Sequence, residues 1–327
     1  MCSRYCDRLP TRAQIAYNTP MTIVVLGFGW VGQANALALA KQGHRVAFYD
    51  PKEPARHYEA AHRALYQRLM RLSDAREIDA RDVCYIVSVG DRVSDDGVQD
   101  ISLIKTALDS IRDVQGTVVL RSTILPHFLK ELHFDFYVPE FLHEKHAVEE
   151  CGSPHFLVIG RRTNKPEPKF LAAWEQHAYK VFRGTPEEAS HIKYLSNLWN
   201  AVRIAFVNEF GDSIRTPRTQ DDVASIERVV DFVFDGKFYQ RYGVSFGGHC
   251  LPKDMRAYIW EQSLKGKRMP LLEGAYAANL AHKEFESAGT LTEWFSAWQK
   301  PALSGRAALS ALGAAIKRRL SSACVRA

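Results

Sequence analysis

A glycine-rich turn between a β-branched run and a helical pattern constrains the fold of this chain more than any other feature. The run TIVVL (22–26) precedes GFGWVG (27–32), which fits G-x-G-x-x-G, and a second strand-like run, RVAFYD (45–50), ends in an aspartate. In this context the first glycine permits a tight turn, the second lets a pyrophosphate approach a helix N-terminus, and the third lets the helix pack closely on the strand. We therefore predict a dinucleotide site formed by Gly27, Gly29, Trp30, Val31, Gly32 and Asp50.

Asp50 indicates which dinucleotide to expect. Its carboxylate can accept hydrogen bonds from both hydroxyls of an adenosine ribose, and it would repel a 2′-phosphate. Arg45 and Lys52 are nearby cations that weaken this repulsion. NAD is therefore the expected cofactor, and the alternative is a structural turn that binds no ligand.

The alternation of short apolar strands with helices predicts the fold class. Further strand candidates lie at 83–89, 116–123, 134–141 and 155–160, with helical segments between most of them. Strands that are buried on both faces are typical of a doubly wound parallel sheet. We predict a flexible leader over 1–20, a Rossmann-type α/β domain over 21–183, a mainly helical domain with a long central helix over 184–288, and a tail or remnant over 289–327.

Composition excludes several function classes. The chain has 327 residues and a net charge of +6 that is spread along its length, which is too weak to indicate nucleic acid but suits an anionic small ligand. No apolar run approaches the ~20 residues that a membrane span requires. The six cysteines are scattered, with no C-x-x-C pair, so we expect free thiols in a reducing cytoplasm and no metal site.

The segment that begins PEEASHIKYL at 186 is predicted to form one long helix with two stripes. The apolar stripe, expected to be the buried face, comprises Ile192, Leu195, Trp199, Val202 and Phe206. The polar stripe comprises Ser190, Lys193, Asn197, Asn200 and Asn208. One lysine among amides suits a polar cleft, in which Lys193 could stabilise an alkoxide and Asn197 could hold the adjacent oxygen. An exposed stripe or a helix–helix contact is the alternative.

The sequence FGGHCLPKD (246–254) surrounds Cys250 with two glycines and a Pro-Lys-Asp. Small neighbours let a ligand come close, and a nearby ammonium favours the thiolate. A thiolate can attack an aldehyde to give a thiohemiacetal, and loss of hydride then gives a thioester that water cleaves to an acid. Cys250 is therefore a candidate nucleophile, and the alternative is a buried cysteine in a tight turn.

Three stretches of this chain resemble the nucleotide-sugar (UDP-glucose/GDP-mannose) dehydrogenase family: VPEFLHEKHA, EEASHIKYLSNLWNAVRIAFVNEFGD and YGVSFGGHCLPKD. They occur in the family's order, the glycine-rich turn and RSTILP match as well, and the resemblance covers roughly 21–285. It implies that the C6 alcohol of a nucleotide sugar such as UDP-glucose is oxidised to a carboxylate in two NAD-dependent steps, for polysaccharide biosynthesis. It also implies a homodimer formed through the helix near 186–216.

The resemblance implies a role for each matching residue. Cys250 would form the thioester, Lys193 and Asn197 would hold negative charge on oxygen, and Asp254 would activate or position water. Thr123 would lie near the cofactor and the reacting carbon, and Glu140 would act there as acid or base. The implied substrate-binding residues are Glu140, Phe141, Leu142, Lys193, Asn197, Tyr242, Phe246 and Gly247.

The chain departs from the family pattern in its length and near its cofactor pocket. Only 77 residues, 251 to 327, follow Cys250, so we expect most or all of the family's C-terminal nucleotide-gripping domain to be missing. Ser88-Val89-Gly90 stands where the family usually has Thr-Pro. We therefore expect a cofactor pocket that differs from the family's.

Two other functions remain open at this point. A 3-hydroxyacid or 6-phosphogluconate-type dehydrogenase also pairs a lysine with an asparagine four residues on, as Lys193 and Asn197 do, but needs no cysteine. A non-catalytic NAD-binding or assembly subunit would keep only the cofactor site. The presence of every catalytic residue type favours the dehydrogenase: Thr123, Glu140, Lys193, Asn197, Cys250 and Asp254.

Overall fold

The computed structural model describes residues 20–143, 146–215, 219–237, 239–248 and 250–287. The predicted tail and nearly all of the predicted leader lie outside these residues. Contacts between Cα atoms divide the chain into a first unit, Met1–Trp199 with His249–Met269, and a second unit, Asn200–Gly248 with Pro270–Ala327. The predicted domain boundary at 183/184 does not coincide with any of these divisions. It describes sequence domains and stays a prediction.

The first unit contains an eight-stranded sheet in the order β10-β9-β8-β7-β4-β1-β2-β3. All neighbouring strands are parallel except β8 and β9, which are antiparallel, so the predicted doubly wound α/β fold is confirmed. A separate antiparallel pair is formed by β5 and β6. The strands are β1 (Thr22–Leu26), β2 (Arg45–Tyr49), β3 (Met70–Arg71), β4 (Val83–Val87), β5 (Arg92–Val93), β6 (Gln99–Asp100), β7 (Thr117–Leu120), β8 (Phe136–Tyr137), β9 (Phe156–Arg161) and β10 (Lys180–Gly184).

Ten helices are formed by the described residues. They are α1 (Trp30–Lys41), α2 (Arg63–Tyr66), α3 (Ser102–Ser110), α4 (Pro126–Leu129), α5 (Ala147–Gly152), α6 (Lys169–His177), α7 (Pro186–Ile214), α8 (Gln220–Phe234), α9 (Cys250–Leu264) and α10 (Pro270–Ser287). The predicted long helix from 186 is thus present as α7. No helix in the described ranges is both long and apolar enough to cross a membrane.

Apolar layers cover both faces of the sheet, which explains why its central strands are almost continuously apolar. In β1, Val24 and Leu26 belong to one layer, which we call layer A, and Ile23 and Val25 belong to the other, layer B. Layer A also contains residues of α3, and layer B contains residues of α1 and α6. The two layers fix the alternation of side chains along each strand, and with it the face on which each functional group lies.

The prediction that the apolar stripe of the long helix α7 is its buried face is wrong for the single chain. Leu195, Trp199 and Phe206 are 69%, 56% and 55% exposed, whereas Ile192 and Val202 are half-buried. The polar stripe is the buried one, since Ser190, Lys193, Asn197 and Asn208 are all buried and Asn200 is half-buried. Periodicity locates an apolar face of a helix, but it does not say whether the same chain covers that face.

The second unit has its own small apolar core. Val223, Ile226 and Val230 of α8 pack with Val207 of α7 and with Tyr242. A reciprocal cap begins α8: the Thr219 side chain accepts a hydrogen bond from the Asp222 amide, and the Asp222 side chain accepts one from the Thr219 amide. The cap and the apolar face together explain why this segment is helical.

Candidate active site

The glycine-rich turn has the geometry that a dinucleotide requires. Gly27 has φ +82°, a conformation that favours glycine, and its amide donates a 3.0 Å hydrogen bond to the Tyr49 carbonyl. A Cβ on Gly32 would lie 1.9 Å from the Gly27 carbonyl oxygen, whereas a Cβ on Gly29 would meet nothing within 4 Å. Gly29 is the N-cap of α1, so open space lies in front of a helix N-terminus, where a pyrophosphate binds.

Asp50 follows β2, and its carboxylate is fixed by backbone groups. Its oxygens accept hydrogen bonds from the Phe28 amide at 2.8 Å and from the Lys52 amide at 3.0 Å. It lines an open depression with Tyr49 and Arg71, and Arg71 is paired with Glu53. Asp50 is therefore placed for a ribose at this edge, and Arg71 is a cation near it that sequence reasoning missed.

Two more predicted cofactor residues begin α1. Trp30 is partly exposed and stacks on the His57 ring with 3.8 Å between centroids, and Val31 is half-buried beside it. Since the two glycines, Asp50 and the helix start meet at one sheet edge, the described residues fit NAD.

The predicted catalytic residues lie on four segments of the first unit. Thr123 and Glu140 follow the parallel strands β7 and β8, so both leave the sheet at its carboxyl edge, the edge at which ligands bind in such sheets. Lys193 and Asn197 are one turn apart on α7, and Cys250 and Asp254 are one turn apart at the start of α9.

Lys193 lies next to the loop that follows β8. Its Nζ is 3.9 Å from a Glu140 oxygen and 5.1 Å from the centre of the Phe141 ring. The other Glu140 oxygen accepts a 2.8 Å hydrogen bond from the Leu142 amide. Because 3.9 Å is too long for a hydrogen bond, this contact leaves the donors of the buried ammonium available to a ligand oxygen.

A buried charge network joins α7 to α9, and it centres on Lys253. Its Nζ donates to Asp254 Oδ1 at 2.6 Å and to both oxygens of Asp91 at 2.9 Å. The other Asp254 oxygen accepts a 2.6 Å hydrogen bond from Asn197 Nδ2. Burial lowers the pKa of Lys253, but the attraction of Asp254 and Asp91 outweighs burial and raises the pKa overall, so this lysine stays charged.

Gln99 extends the network to the loop that carries Thr123. Its amide nitrogen donates to Asp91 at 2.6 Å and to the Thr123 carbonyl at 3.1 Å, and its amide oxygen accepts from the Leu125 amide at 2.9 Å. Sequence reasoning missed Asp91 and Gln99. For Asp91 a signal existed, because it closely follows β4 at the ligand-binding edge of the sheet; for Gln99 there was none.

Cys250 is exposed, and its pKa is raised rather than lowered. Desolvation by the surrounding protein is the largest cause; Lys193 and Lys253 lower the pKa, while Asp254 and Glu140 raise it. The position of Cys250 at the start of α9 also favours the thiolate, through the helix dipole. Neighbouring ammonium groups do favour the thiolate as expected, but desolvation, together with the charges of Asp254 and Glu140, outweighs them.

The glycine-containing loop before Cys250 belongs to the second unit, where side-chain amides hold it. Asn208 accepts from the Gly243 amide and donates to the Val244 carbonyl, both at 2.8 Å. Asn279 binds the Phe246 amide at 2.7 Å and the Phe246 carbonyl at 3.0 Å. The Tyr242 and Phe246 side chains are buried and Gly247 is exposed. The buried rings therefore anchor this loop within the unit.

Two protein-family models match most of the chain. The NAD binding domain of the UDP-glucose/GDP-mannose dehydrogenase family matches residues 21–182, and the central domain of the same family matches residues 187–281. The order of these two matches is the order of the predicted Rossmann-type and helical parts. The predicted family and the predicted cofactor, NAD, are confirmed.

Curated relatives and solved structures agree with the family models. A GDP-mannose 6-dehydrogenase of Pseudomonas putida is 30% identical over 303 residues, which cover 79% of this chain and 68% of the relative. A UDP-glucose 6-dehydrogenase of Rickettsia typhi is 26% identical, over 72% of this chain and 62% of the relative. The structure of a UDP-glucose dehydrogenase from Pyrobaculum islandicum is 26% identical, with a TM-score of 0.70 over 84% of this chain and 70% of that one.

The charges around Cys250 make its alkylation by iodoacetamide a test of the site. Because the pKa of the thiol is raised, we expect slow labelling at pH 7 that accelerates as the pH rises past 9. Lys193→Met should move the labelling midpoint to higher pH, and Glu140→Gln should move it to lower pH, as peptide mass spectrometry would show. Unchanged midpoints in both variants would contradict this geometry, and the buried Cys84 is the internal control.

Proposed function

Because the chain belongs to the UDP-glucose/GDP-mannose dehydrogenase family, we propose that it oxidises the C6 primary alcohol of a nucleotide sugar, such as UDP-glucose, to the carboxylate with NAD. The proposed route passes through a thiohemiacetal and a thioester on Cys250. One observation carries the proposal: an exposed thiol lies within the electrostatic influence of Lys193, Asp254 and Glu140.

The glycine-rich turn and Asp50 hold the cofactor in this proposal, together with Trp30, Val31 and Thr123. Bound NAD supplies a hydride acceptor for each of the two oxidations. The turn supplies backbone donors at the start of α1, and two backbone amides hold the Asp50 carboxylate in place for the ribose hydroxyls.

The first oxidation takes the alcohol to an aldehyde. As C6 loses a hydride, its hydroxyl loses a proton, and negative charge develops on the oxygen. The Lys193 ammonium and the second N–H of Asn197 stabilise that charge, since Asn197 uses only one of its two donors for Asp254. Glu140, 3.9 Å from the ammonium, is the proposed base that takes the proton.

The second oxidation begins with the thiol. Because its pKa is raised, Cys250 keeps its proton until attack: the C–S bond forms as the carbonyl electron pair moves to oxygen and the proton passes to that oxygen. Loss of the remaining C6 hydride and of the hydroxyl proton gives the thioester. Water then attacks, the C–S bond breaks and the thiol regains a proton. Asp254 orients the water through its carboxylate, which hydrogen bonds from Lys253 and Asn197 hold in place.

The number of NADH molecules formed per sugar tests this route. With purified protein, NAD and a panel of UDP- and GDP-sugars, we expect two NADH for each molecule of the accepted sugar. Cys250→Ser should reduce acid formation by about a thousandfold or more, as loss of a covalent nucleophile does elsewhere, whereas Cys84→Ala should not. One NADH per sugar would remove the thiol step, and no NADH with any sugar of the panel would contradict the proposed activity.

We also propose that the chain forms a homodimer through the exposed apolar face of α7, which includes Leu195, Trp199 and Phe206. A large exposed apolar stripe on a soluble protein is typical of an interface. Light scattering should give twice the chain mass of 37.0 kDa, and Leu195→Glu should give the single chain. Phe232→Glu, at an exposed phenylalanine on α8, is the control that should stay dimeric. A wild-type mass of one chain would refute the dimer.

A further inference from the structure

A cavity of about 230 Å³ lies in the first unit beside the ends of β7 and β8. Arg121, which follows β7, lines it together with Phe156 of β9 and Trp174 of α6. Its polar lining also includes His155, His177 and Glu150. The cavity therefore combines one guanidinium with aromatic walls.

Arg121 carries a buried charge that the described residues do not neutralise. The residue is 4% exposed, and its Nε has no hydrogen-bond partner. Its guanidinium carbon lies 5.2 Å from the centre of the Trp174 ring, a contact that offsets only part of the cost of burying a cation. Glu150, the acid in the lining, is engaged elsewhere: its oxygens bind the His143 amide at 2.6 Å and His143 Nδ1 at 2.8 Å.

The Arg121 side chain and the candidate catalytic lysine lie on opposite faces of the sheet, although the cavity also reaches Phe141, whose ring centre is 5.1 Å from Lys193 Nζ. Val119, two residues before Arg121 and so on the same side of the strand, belongs to layer B, as does Trp174. Ile192, the neighbour of Lys193 on α7, packs against layer A. The charge of Arg121 is therefore not part of the network around Lys253, and the proposed oxidation leaves it without a use.

We propose that this cavity binds a small organic anion, with its carboxylate or phosphate group on Arg121 and its apolar part against Phe156 and Trp174. A guanidinium binds such groups through two parallel hydrogen bonds, which satisfies its donors and its charge together. A dry cavity of ~150 Å³ accommodates benzene, so 230 Å³ has room for a ring with an acid group.

Calorimetric titration of the full chain with benzoate tests this assignment, and inorganic phosphate serves as the second probe. We expect benzoate to bind the wild type, and Arg121→Met to weaken binding by at least about tenfold, the loss of a charge-assisted hydrogen bond. The matched control is Arg161→Met, because Arg161 is an exposed arginine that also lies 5.3 Å from an aromatic ring centre, that of Phe136. Benzoate should bind this control as it binds the wild type.

Thermal unfolding without ligand separates binding from folding. If Arg121 serves ligand binding and does not stabilise the fold, the Arg121→Met variant should unfold at the same temperature as the wild type or at a higher one, because the substitution removes an unpaired buried charge. Benzoate should raise the unfolding temperature of the wild type only. Three calorimetric results would overturn the proposal: the wild type binds no benzoate, or binds phosphate but not benzoate; Arg121→Met binds benzoate as tightly as the wild type; or Arg121→Met and Arg161→Met lose affinity equally. The proposal is also overturned if Arg121→Met unfolds at a lower temperature than the wild type in the absence of ligand.

Discussion

Lys253 places a positive charge between Asp91 and Asp254 in the interior of the first unit, and the arrangement of the candidate site depends on this contact. Removing these ions from water costs several kcal/mol for each, so they persist only because each is bonded on more than one side. Asn197 donates to Asp254 and Gln99 donates to Asp91, which satisfies the remaining oxygens. The result is a rigid link between α7, α9 and the loops that follow β4 and β7.

The network gives the two lysines, Lys193 and Lys253, different roles. The charge of Lys253 is balanced by Asp91 and Asp254, so its role is structural: it fixes the Asp254 carboxylate, which in turn fixes the Asn197 amide. Lys193 faces Glu140 at 3.9 Å without a hydrogen bond, and it remains the cation that can meet a substrate oxygen. Cys250 keeps a raised pKa beside these two ammonium groups because desolvation, together with the charges of Asp254 and Glu140, outweighs their attraction for the thiolate.

The sequence was sufficient for features that local rules determine. The glycine spacing between a strand and a helix predicted the turn at Gly27, because only one backbone geometry places a strand, a tight turn and a helix in that order. The pairing of Asp91 with Lys253 could not be predicted, because the two residues lie 162 positions apart in the chain and no local pattern encodes the contact. Leu195 was misplaced for a related reason: its helical period was correct, but what covers an apolar face is a property of tertiary or quaternary packing.

The stability of paired variants tests the central role of the buried network most directly. Lys253→Met should lower the free energy of unfolding by about 3–5 kcal/mol, because it leaves two carboxylates buried without their cation. Adding Asp91→Asn to that variant should restore part of the loss, since it removes one of the unpaired charges, so the double variant should be more stable than Lys253→Met alone. If the two losses simply add in denaturant unfolding, Asp91 and Lys253 do not act as a pair, and the account is contradicted.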